Sequence, residues 1–250
     1  MRAFEKWNER TGSTPGFFYT EAAGAWDVIL SYQEDSGLPG HLAEIGVYMG
    51  KSASLLALHA RPKEQLVLVD LGFPSETREL LESLAPKGAL VYLEQRSSQA
   101  IRVPVASAWP RSFRFIHIDG EHTGEAVIND LRLASAWLGD TGIICLDDFF
   151  NPMYPQLTAA VFEFLAAHRH ELTLVLCGHN KGYLCRPTAS HLYLGLIRSR
   201  LVKELAERGL REVTVFKTTQ ASDLNCFGIA ARFRDLDYYG LDSDPSQLPA

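Results

Sequence analysis

Glu44-Ile-Gly-Val-Tyr-Met-Gly-Lys-Ser52 is the segment from which the fold is predicted. The apolar segment His41–Gly46 leads into it and is predicted to be a strand, and Lys51–His59 follows it as a predicted helix. Gly46 and Gly50 allow a tight turn and the close approach of a ligand to the backbone. The stretch therefore predicts a strand, a ligand-binding loop and a helix in immediate succession.

The spacing within this loop argues against two common nucleotide-binding patterns. Tyr48 stands where a Gly-x-Gly-x-x-Gly dinucleotide loop requires flexibility. A phosphate-binding loop ending in Gly-Lys-Ser would have its first glycine five residues before Gly50, whereas Gly46 lies four residues before it. Glu44 would repel a pyrophosphate and attract the ammonium group of an amino-acid-like ligand. The loop therefore indicates an amino-acid-like nucleoside.

Outside the loop, short apolar segments alternate with segments of helical spacing, which indicates a doubly wound α/β fold with helices on both faces of a mostly parallel sheet. The predicted strands are 41–46, 65–70, 89–93, 113–119, 142–147 and 172–177, completed by 213–217 and 226–232. The predicted helices are 20–33, 51–59, 75–84, 124–138, 156–168 and a longer one at 191–208.

The predicted strands end in polar residues, and parallel sheets bind ligands beyond the carboxyl ends of their strands. These endings are Gly46, Asp70, Glu94, Asp119 and the pair Asp147-Asp148. Asp70, at the end of the second strand, can accept hydrogen bonds from both hydroxyls of a ribose. The alternative is that Asp70 is a solvated or helix-capping acid.

The acid-x-Gly-x-x-x-Gly motif, followed by an acid at the end of strand two, resembles the S-adenosylmethionine (SAM) site of class I methyltransferases. Glu44–Ser52 is most similar to the subgroup that includes macrocin O-methyltransferase and related natural-product sugar methyltransferases, although Tyr48 replaces the usual middle glycine of the wider class. The resemblance runs from about Pro39 to Phe164 and implies a seven-stranded, Rossmann-like sheet. The SAM-binding residues it favours are Glu44, Gly46, Tyr48, Gly50, Ser52, Asp70, Ser98 and Asp119. Ser98 can instead be a plain helix cap.

Asp119 ends strand four, Asp147 ends strand five, and Asp148 follows it. Three crowded carboxylates repel one another unless some are protonated or a cation lies among them. An oxygen-only set suits Mg²⁺, Mn²⁺ or Ca²⁺ better than zinc. The resemblance implies Mg²⁺ at these positions, where it would hold the acceptor hydroxyl. The alternative is that Asp147 and Asp148 cap a helix or face solvent.

His122 follows Asp119 by three positions, an offset at which the related metal-dependent enzymes often carry the general base. An imidazole can take a hydroxyl proton at neutral pH. Glu121 is the competing candidate, and a helix-capping role for His122 stays open. His117, flanked by isoleucines in strand four, is expected to be a core residue or to support the site from behind.

Composition limits the possible binding partners and the cellular location of the protein. The chain has 250 residues and a net charge of −6, which argues against a uniformly basic nucleic-acid-binding surface. No apolar stretch reaches membrane-spanning length, so we expect a cytoplasmic protein. Its four cysteines form no CxxC pair and are interpreted as buried thiols.

We expect a helical or lid segment at 1–40, a methyltransferase domain at 41–241 and a flexible tail at 242–250. The aromatic stretch Gly16–Tyr19 is either a lid or a strap that docks a second subunit.

The sequence thus predicts a Mg²⁺-dependent SAM O-methyltransferase of natural-product biosynthesis, with a small-molecule hydroxyl, best a sugar of a secondary metabolite, as acceptor. We expect no nucleic-acid or membrane partner, and a homo-oligomer is possible. Alternatives are a metal-independent methyltransferase and a non-catalytic SAM- or nucleotide-binding module. A nicotinamide oxidoreductase ranks last because its glycine pattern is missing.

Overall fold

The structure is a computed structural model, and it describes residues 1–100, 108–217 and 225–240. The helices are α1 (Ala3–Thr11), α2 (Thr20–Asp35), α3 (Lys51–His59), α4 (Ser75–Leu84), α5 (Ser97–Ala100), α6 (Gly124–Trp137), α7 (Pro155–Ala167), α8 (Ser190–Ser199) and α9 (Leu201–Glu207). The strands are β1 (His41–Ile45), β2 (Leu66–Asp70), β3 (Leu90–Glu94), β4 (Phe113–Ile118), β5 (Leu138–Asp147), β6 (Thr173–Gly178), β7 (Lys181–Cys185), β8 (Val213–Lys217), β9 (Phe227–Ala231) and β10 (Tyr238–Tyr239).

The strands form one sheet in the order β10-β8-β9-β6-β7-β5-β4-β1-β2-β3. The five strands from β3 to β5 in this order are parallel, and β7 runs antiparallel between β5 and β6. The chain leaves β1 toward β2 and β3, then returns to the other side of β1 as β4. This reversal of strand order between β1 and β4 is the place where doubly wound sheets bind ligands.

The doubly wound fold is confirmed, but two details of the prediction are wrong. The described sheet has ten strands rather than the seven that the resemblance implies. The strands predicted at 213–217 and 226–232 are present as β8 and β9, whereas β7, which forms a hairpin with β6, and β10, which pairs with β8, were not predicted. The helix predicted over 191–208 is two helices, since the backbone of Arg200 leaves the helical region at φ −131°. Apolar spacing continues across the break because Leu196 and Leu205 enter the same core, so periodicity alone does not reveal it.

The helices cover both faces of the sheet and produce two cores. One face is packed by α1–α4, α8 and α9 around Trp26, and the other by α5–α7 around Trp137. The predicted tail at 242–250 lies outside the described residues. In the part of the chain that the structure describes, no helix combines the length and apolar character needed to span a bilayer.

A buried polar network joins α2 and α3 to Arg208, which follows α9. Asp27 of α2 accepts hydrogen bonds from His59 of α3 at 2.9 Å and from Arg208, after α9, at 2.6 Å. Arg114 of β4 is also fully buried and donates to Gln33 of α2. These contacts fix α2 and α3 beside the glycine loop, and they thereby position one side of the cleft described next.

Candidate active site

A cleft of about 1240 Å³ lies beyond the carboxyl ends of β1, β2, β4 and β5. Ligand pockets in proteins commonly measure about 300–1,000 Å³, so this cleft has room for more than one small molecule. Of the predicted site residues, all but Glu44 and Gly50 line it: Gly46, Tyr48, Ser52, Asp70, Ser98, Asp119, Glu121, His122, Asp147 and Asp148. The structure therefore gathers the separate sequence signals around one cavity.

The glycine loop is fixed by its approach to the end of β4. Gly46 has φ 82°, and a Cβ atom there would lie 1.8 Å from the carbonyl oxygen of Asp119. Gly50, with φ 79°, is the N-cap of α3. Tyr48 also has positive φ, at 49°, and its side chain is 66% exposed. Both glycines are thus required by the backbone, and Tyr48 is presented to the cleft.

Asp70 holds this loop in place. Its Oδ2 accepts hydrogen bonds from the backbone N–H groups of Val47 at 2.7 Å and Tyr48 at 3.0 Å, and its Oδ1 accepts one from Leu71 at 2.6 Å. A carboxylate oxygen has more than one lone pair, so Asp70 can bind a ribose and hold the loop simultaneously. Its ribose role stays a prediction.

Glu44 lies beneath the loop rather than in the wall of the cleft. It is fully buried beside His117, whose Nδ1 lies 2.6 Å from Glu44 Oε1. Burial raises the pKa of Glu44, and the contact with His117 opposes that shift. Glu44 Oε2 makes no hydrogen bond within the described chain. An unpaired buried acceptor leaves a place for a donor such as a cofactor ammonium group.

Ser98, predicted as a SAM-binding residue, lies in α5 and lines the cleft. Burial raises the pKa of Asp130 to about 6, although a hydrogen bond with Ser97, the neighbour of Ser98, opposes this shift. Gln95 and Arg96 line the cleft as well. The role of Ser98 in SAM binding stays a prediction.

The three aspartates predicted as metal ligands all line the cleft, but their donor atoms fall into two groups that share Asp119 rather than into one. Asp148 is buried in a turn with φ 55°, where its Oδ1 accepts hydrogen bonds from Asn151 at 2.6 Å and Asn180 at 2.7 Å. Burial raises the pKa of Asp119, and the charge of Asp147 adds to the shift. A nearby cation would therefore stabilise the charged form of Asp119.

Two sets of side chains have donor atoms that all lie within 4.8 Å of one another. They are His117, Asp119 and Asp147, and Asp119, His122 and Asp148. Asp119 belongs to both, and each contains a histidine in addition to carboxylates. The carboxylates suit a hard divalent cation such as Mg²⁺ or Mn²⁺, whereas imidazole is a more usual ligand of zinc or iron. The aspartates therefore fit the predicted metal, and the histidines are neighbours of the site rather than expected Mg²⁺ ligands.

Lys181 is a site residue that the sequence analysis missed. It begins β7, is 1% exposed, and pairs its ammonium group with Asp147 Oδ2. Burial would raise the pKa of Asp147, but Lys181 and His117 lower it instead. Because β7 is antiparallel, its amino end lies at the same sheet edge as the carboxyl ends of β4 and β5. In the sequence, the polar pair Asn180-Lys181 before an apolar run is the feature that could have identified Lys181 as a site residue.

His122 and Glu121 point to different partners. His122 Nε2 lies 2.8 Å from Asp148 Oδ2 and 3.7 Å from Asp119 Oδ1, and its ring stacks on Tyr154 at 4.3 Å. Glu121 instead pairs with Arg96 at 3.2 Å, and both side chains are exposed. Contact with Asp119 raises the pKa of His122, and Asp148 contributes. The geometry favours His122 over Glu121 as the candidate base.

The N-terminal aromatic stretch lies on the rim of the cleft. Phe18 is buried, with its ring 5.4 Å from Trp7 and 4.6 Å from Trp26, whereas Phe17 is fully exposed. Lys51 Nζ donates a hydrogen bond to the carbonyl of Gly16 at 3.3 Å. The stretch is therefore anchored to the start of α3 while part of it faces the cleft.

Comparisons with known proteins agree with this fold. Residues 43–149 match a family model described as a methyltransferase domain. A mimivirus protein, uncharacterized protein R132 of Acanthamoeba polyphaga mimivirus, is 26% identical over 128 residues. That match covers 49% of this chain and 58% of the viral protein, so the chain matches little more than half of that relative's length.

Similar solved structures are methyltransferases of low sequence identity. CalS11, a TDP-rhamnose 3'-O-methyltransferase of calicheamicin biosynthesis, is 16% identical with a TM-score of 0.53, over 73% of this chain and 92% of its own. PaMTH1 of Podospora anserina, bound to S-adenosylhomocysteine (SAH), is 16% identical with a TM-score of 0.53, over 74% and 88%. MycE of the mycinamycin pathway, with Mg and SAH, is 13% identical with a TM-score of 0.55, over 73% and 54%. The match of residues 43–149 to a methyltransferase family model and the folds of these structures agree with the predicted resemblance to class I SAM-dependent methyltransferases.

Proposed function

We propose that the protein is a SAM-dependent O-methyltransferase that methylates a hydroxyl of a small molecule, with a sugar of a secondary metabolite as the favoured acceptor. The observation that carries this proposal is the position of His122. Its imidazole is partly exposed in the same cleft as the glycine loop and contacts Asp148 at 2.8 Å. A base and a cofactor loop that share one cavity can act on the same pair of bound molecules.

The glycine loop, Asp70 and Ser98 bind the methyl donor in this proposal, and Glu44 contributes from beneath. SAM supplies an activated methyl group bonded to a sulfonium and leaves as SAH. Residues 41–241 form the proposed methyltransferase domain, and residues 1–40 complete the rim. The names of CalS11 and MycE, which concern a sugar hydroxyl and bound SAH, support the choice of reaction class.

His122 takes the proton of the acceptor hydroxyl while the oxygen attacks the methyl carbon. Asp148 and Asp119 stabilise the imidazolium that results, since both carboxylates face Nε2. Stacking on Tyr154 fixes the plane of the ring. Glu121 is held by Arg96 at the rim and has no role in the proton transfer in this proposal.

Asp119, Asp147 and Asp148 would hold the proposed Mg²⁺, with His117 and His122 next to them. A divalent cation bound there would lower the pKa of the acceptor hydroxyl and fix its position. Asp119 belongs to both groups of donor atoms, and because burial raises its pKa, a cation bound there would favour its charged form.

Metal-independent methyl transfer is the second candidate, and the Lys181–Asp147 ion pair favours it. Lys181, His117 and His122 are three groups that can carry positive charge beside the acids. Such an arrangement can balance much of the carboxylate charge without an added ion. Thorough chelation with EDTA separates the candidates, because activity that survives it removes the metal role.

Calorimetric titration of SAM, and then of Mg²⁺, into the purified full chain tests the proposed function. We expect one SAM per chain and a second heat on addition of Mg²⁺. Asp70→Asn should weaken SAM binding about tenfold or more through loss of charge-assisted hydrogen bonds. The surface variant Asp35→Asn is the matched control and should bind as the wild type does. Failure of the wild-type protein to bind SAM would contradict the proposal.

A further inference from the structure

We infer that Asn180 is a positioning residue for the proposed metal site, where its carboxamide holds Asp147 and Asp148 in the arrangement that binds a divalent cation. The inference rests on the proposed function and deepens it by naming a residue that sets the metal affinity through the two acids. It depends on the turn that carries Asn180, on its hydrogen bonds, and on the carboxylate oxygens that those bonds leave available.

The turn between β6 and β7 brings Asn180 to the acid pair. β7 pairs antiparallel with β5 and Lys181 lies opposite Asp147, so the residue before Lys181 lies beside the residue after Asp147. His179 and Asn180 have φ 48° and 65°, and two successive left-handed residues are characteristic of the tight type I′ hairpin turn, in which asparagine is favoured. The backbone N–H of Phe149 donates to the carbonyl of Asn180 at 3.2 Å. The backbone of Asn180 is therefore fixed next to the two acids.

The side chain of Asn180 joins the two acids to each other. Its Nδ2 donates hydrogen bonds to Asp148 Oδ1 at 2.7 Å and to Asp147 Oδ1 at 3.3 Å. Among the described residues, no other side chain hydrogen-bonds to both aspartates. An amide nitrogen has two N–H donors and no net charge, so it can bind one oxygen of each acid simultaneously. Because neighbouring carboxylates repel each other, this shared donor offsets part of their repulsion.

The hydrogen bonds to Asp148 leave one of its oxygens directed at the cleft. Its Oδ1 accepts a bond from Asn180 and another from Asn151, at 2.6 Å. Two donors on the same oxygen restrict rotation of the carboxylate, and Oδ2 faces His122 Nε2 at 2.8 Å. Oδ2 is therefore the oxygen that Asp148 presents to a cation in the cleft.

Asp147 is arranged in a similar way. Its Oδ1 accepts hydrogen bonds from the backbone N–H of Asp148 at 2.7 Å and from Asn180, whereas its Oδ2 faces Lys181. Each acid has an oxygen within 4.8 Å of a carboxylate oxygen of Asp119, which belongs to both groups of donor atoms. Removal of a hydrogen-bonding partner behind a metal ligand usually lowers metal affinity or activity about 10- to 100-fold. The carboxamide of Asn180 should therefore affect the affinity for metal strongly.

Calorimetric titration of Mg²⁺ into the full chain saturated with SAH tests the inference with the variant Asn180→Gly. Glycine removes the carboxamide and adopts the left-handed backbone without strain. We expect the variant to bind Mg²⁺ at least about tenfold more weakly than the wild type, while its SAH affinity changes less than about twofold. A merely structural role of Asn180 would weaken the binding of both. Equal Mg²⁺ affinity of the variant and the wild type overturns the inference.

His179→Gly is the matched control, because it removes the other left-handed side chain of the same turn. His179 does not line the cleft, so this variant should bind Mg²⁺ within about twofold of the wild type. Equal weakening in the two glycine variants would show that the stiffness of the turn matters rather than the carboxamide. That result would also overturn the inference.

Asn151→Ala replaces the first variant if Asn180→Gly does not fold. Asn151 donates to the same Oδ1 of Asp148, so its loss should weaken Mg²⁺ binding about threefold or more. Unchanged Mg²⁺ affinity in Asn151→Ala would show that hydrogen bonds to this oxygen do not position the acid, and would overturn the inference. Wild-type protein that binds SAH but no Mg²⁺ overturns this inference alone, whereas failure to bind SAH overturns the proposed function itself.

Discussion

Lys181 is a buried ammonium group in direct contact with a proposed metal ligand. Its partner is Asp147, which also faces His117 at 3.7 Å. A cation at this position neutralises part of the acid cluster in the folded protein. Lys181 and a divalent ion would therefore compete for the same carboxylate.

We predict that Lys181→Met lowers the free energy of unfolding by about 3–5 kcal/mol in EDTA, the usual effect of breaking a buried ion pair. Addition of Mg²⁺ should stabilise this variant more than the wild type, because the released carboxylate can bind the ion. Denaturant titrations with and without Mg²⁺ measure both effects. Lys203→Met, at an exposed position of α9, should change stability by less than about 0.5 kcal/mol. If Mg²⁺ stabilises the variant and the wild type equally, Lys181 and the ion do not compete for Asp147.

His122 is the residue whose role in the proposed chemistry is most direct. We predict that His122→Gln lowers turnover about 10²- to 10⁴-fold, the contribution usual for a positioned base. SAH affinity should change less than about twofold, because the cofactor residues are untouched. SAH production from SAM with an aryl glycoside acceptor measures turnover. His191→Gln replaces an exposed histidine of α8 as the control, and a fully active His122→Gln would eliminate the assignment.

Among single residues, the acidic side chains of the site could be predicted from the sequence, but the basic side chain that pairs with one of them could not. Asp119 and Asp147 follow apolar strands, and strand ends in parallel sheets converge on one edge. Lys181 begins an antiparallel strand, so the same rule does not find it. Lysine is also seldom fully buried, and its pairing with Asp147 depends on how β7 enters the sheet.

The glycine loop is the element on which the site depends most. Gly46 and Gly209 both have φ 82°, but a Cβ at Gly46 would meet the backbone of Asp119 at 1.8 Å, while nothing lies within 4 Å at Gly209. Substitutions at the two positions therefore distinguish two costs. Gly209 reports the strain of a left-handed backbone alone, and Gly46 adds the steric contact between the ends of β1 and β4.

We predict that Gly209→Ala costs about 1–2 kcal/mol, the strain of a left-handed residue with a side chain. Gly46→Ala should cost several kcal/mol more and abolish SAH binding, since the loop and the end of β4 must separate. Chemical denaturation and calorimetry compare the two variants. Similar losses of stability in both would show that the contact with Asp119 is unimportant.

Elements were predicted well where local pattern and packing agree. The predicted bounds of α3 and α4 are those of the structure. In α4 the buried residues Thr77 and Leu81 lie on one face, whereas α3 is buried around most of its circumference. The strand Lys181–Cys185 is absent from the predicted strands, because Lys-Gly at its start gives no strand signal. Its place between β5 and β6 depends on pairing with strands distant in sequence, which local pattern does not encode.

For the whole molecule, the network around Asp27 makes stability depend on pH. Burial alone would lower the pKa of His59, but hydrogen bonds to Asp27 and Glu34 outweigh it and raise that pKa. A histidine with a raised pKa stabilises the fold fully below about 6.5, its unfolded value, and this contribution is lost as pH rises through the folded pKa. His59 and Arg208 lower the pKa of Asp27 despite burial, so its contribution is lost as pH falls.

We predict that the wild-type free energy of unfolding declines above about pH 6.5, and that His59→Gln reduces this slope. One titrating group contributes at most about 1.4 kcal/mol per pH unit. Part of the slope should persist in the variant, because the pKa of His117 is also raised, to about 9. Urea titrations from pH 5 to 9 measure the slope. His170→Gln, at an exposed position, should retain the wild-type slope, and no difference between the two variants would contradict the prediction.

The hydrogen bond between Arg208 and Asp27 spans 181 residues of sequence. At about 5–20 residues per second, a ribosome adds the intervening chain in roughly 10 to 35 seconds. Throughout that interval α2 has been synthesised but its buried carboxylate has no guanidinium partner, and the indole of Trp26 lies next to it in the chain. Nascent chains of this protein therefore expose an unfinished N-terminal face for much of their synthesis, which is the kind of surface that molecular chaperones bind.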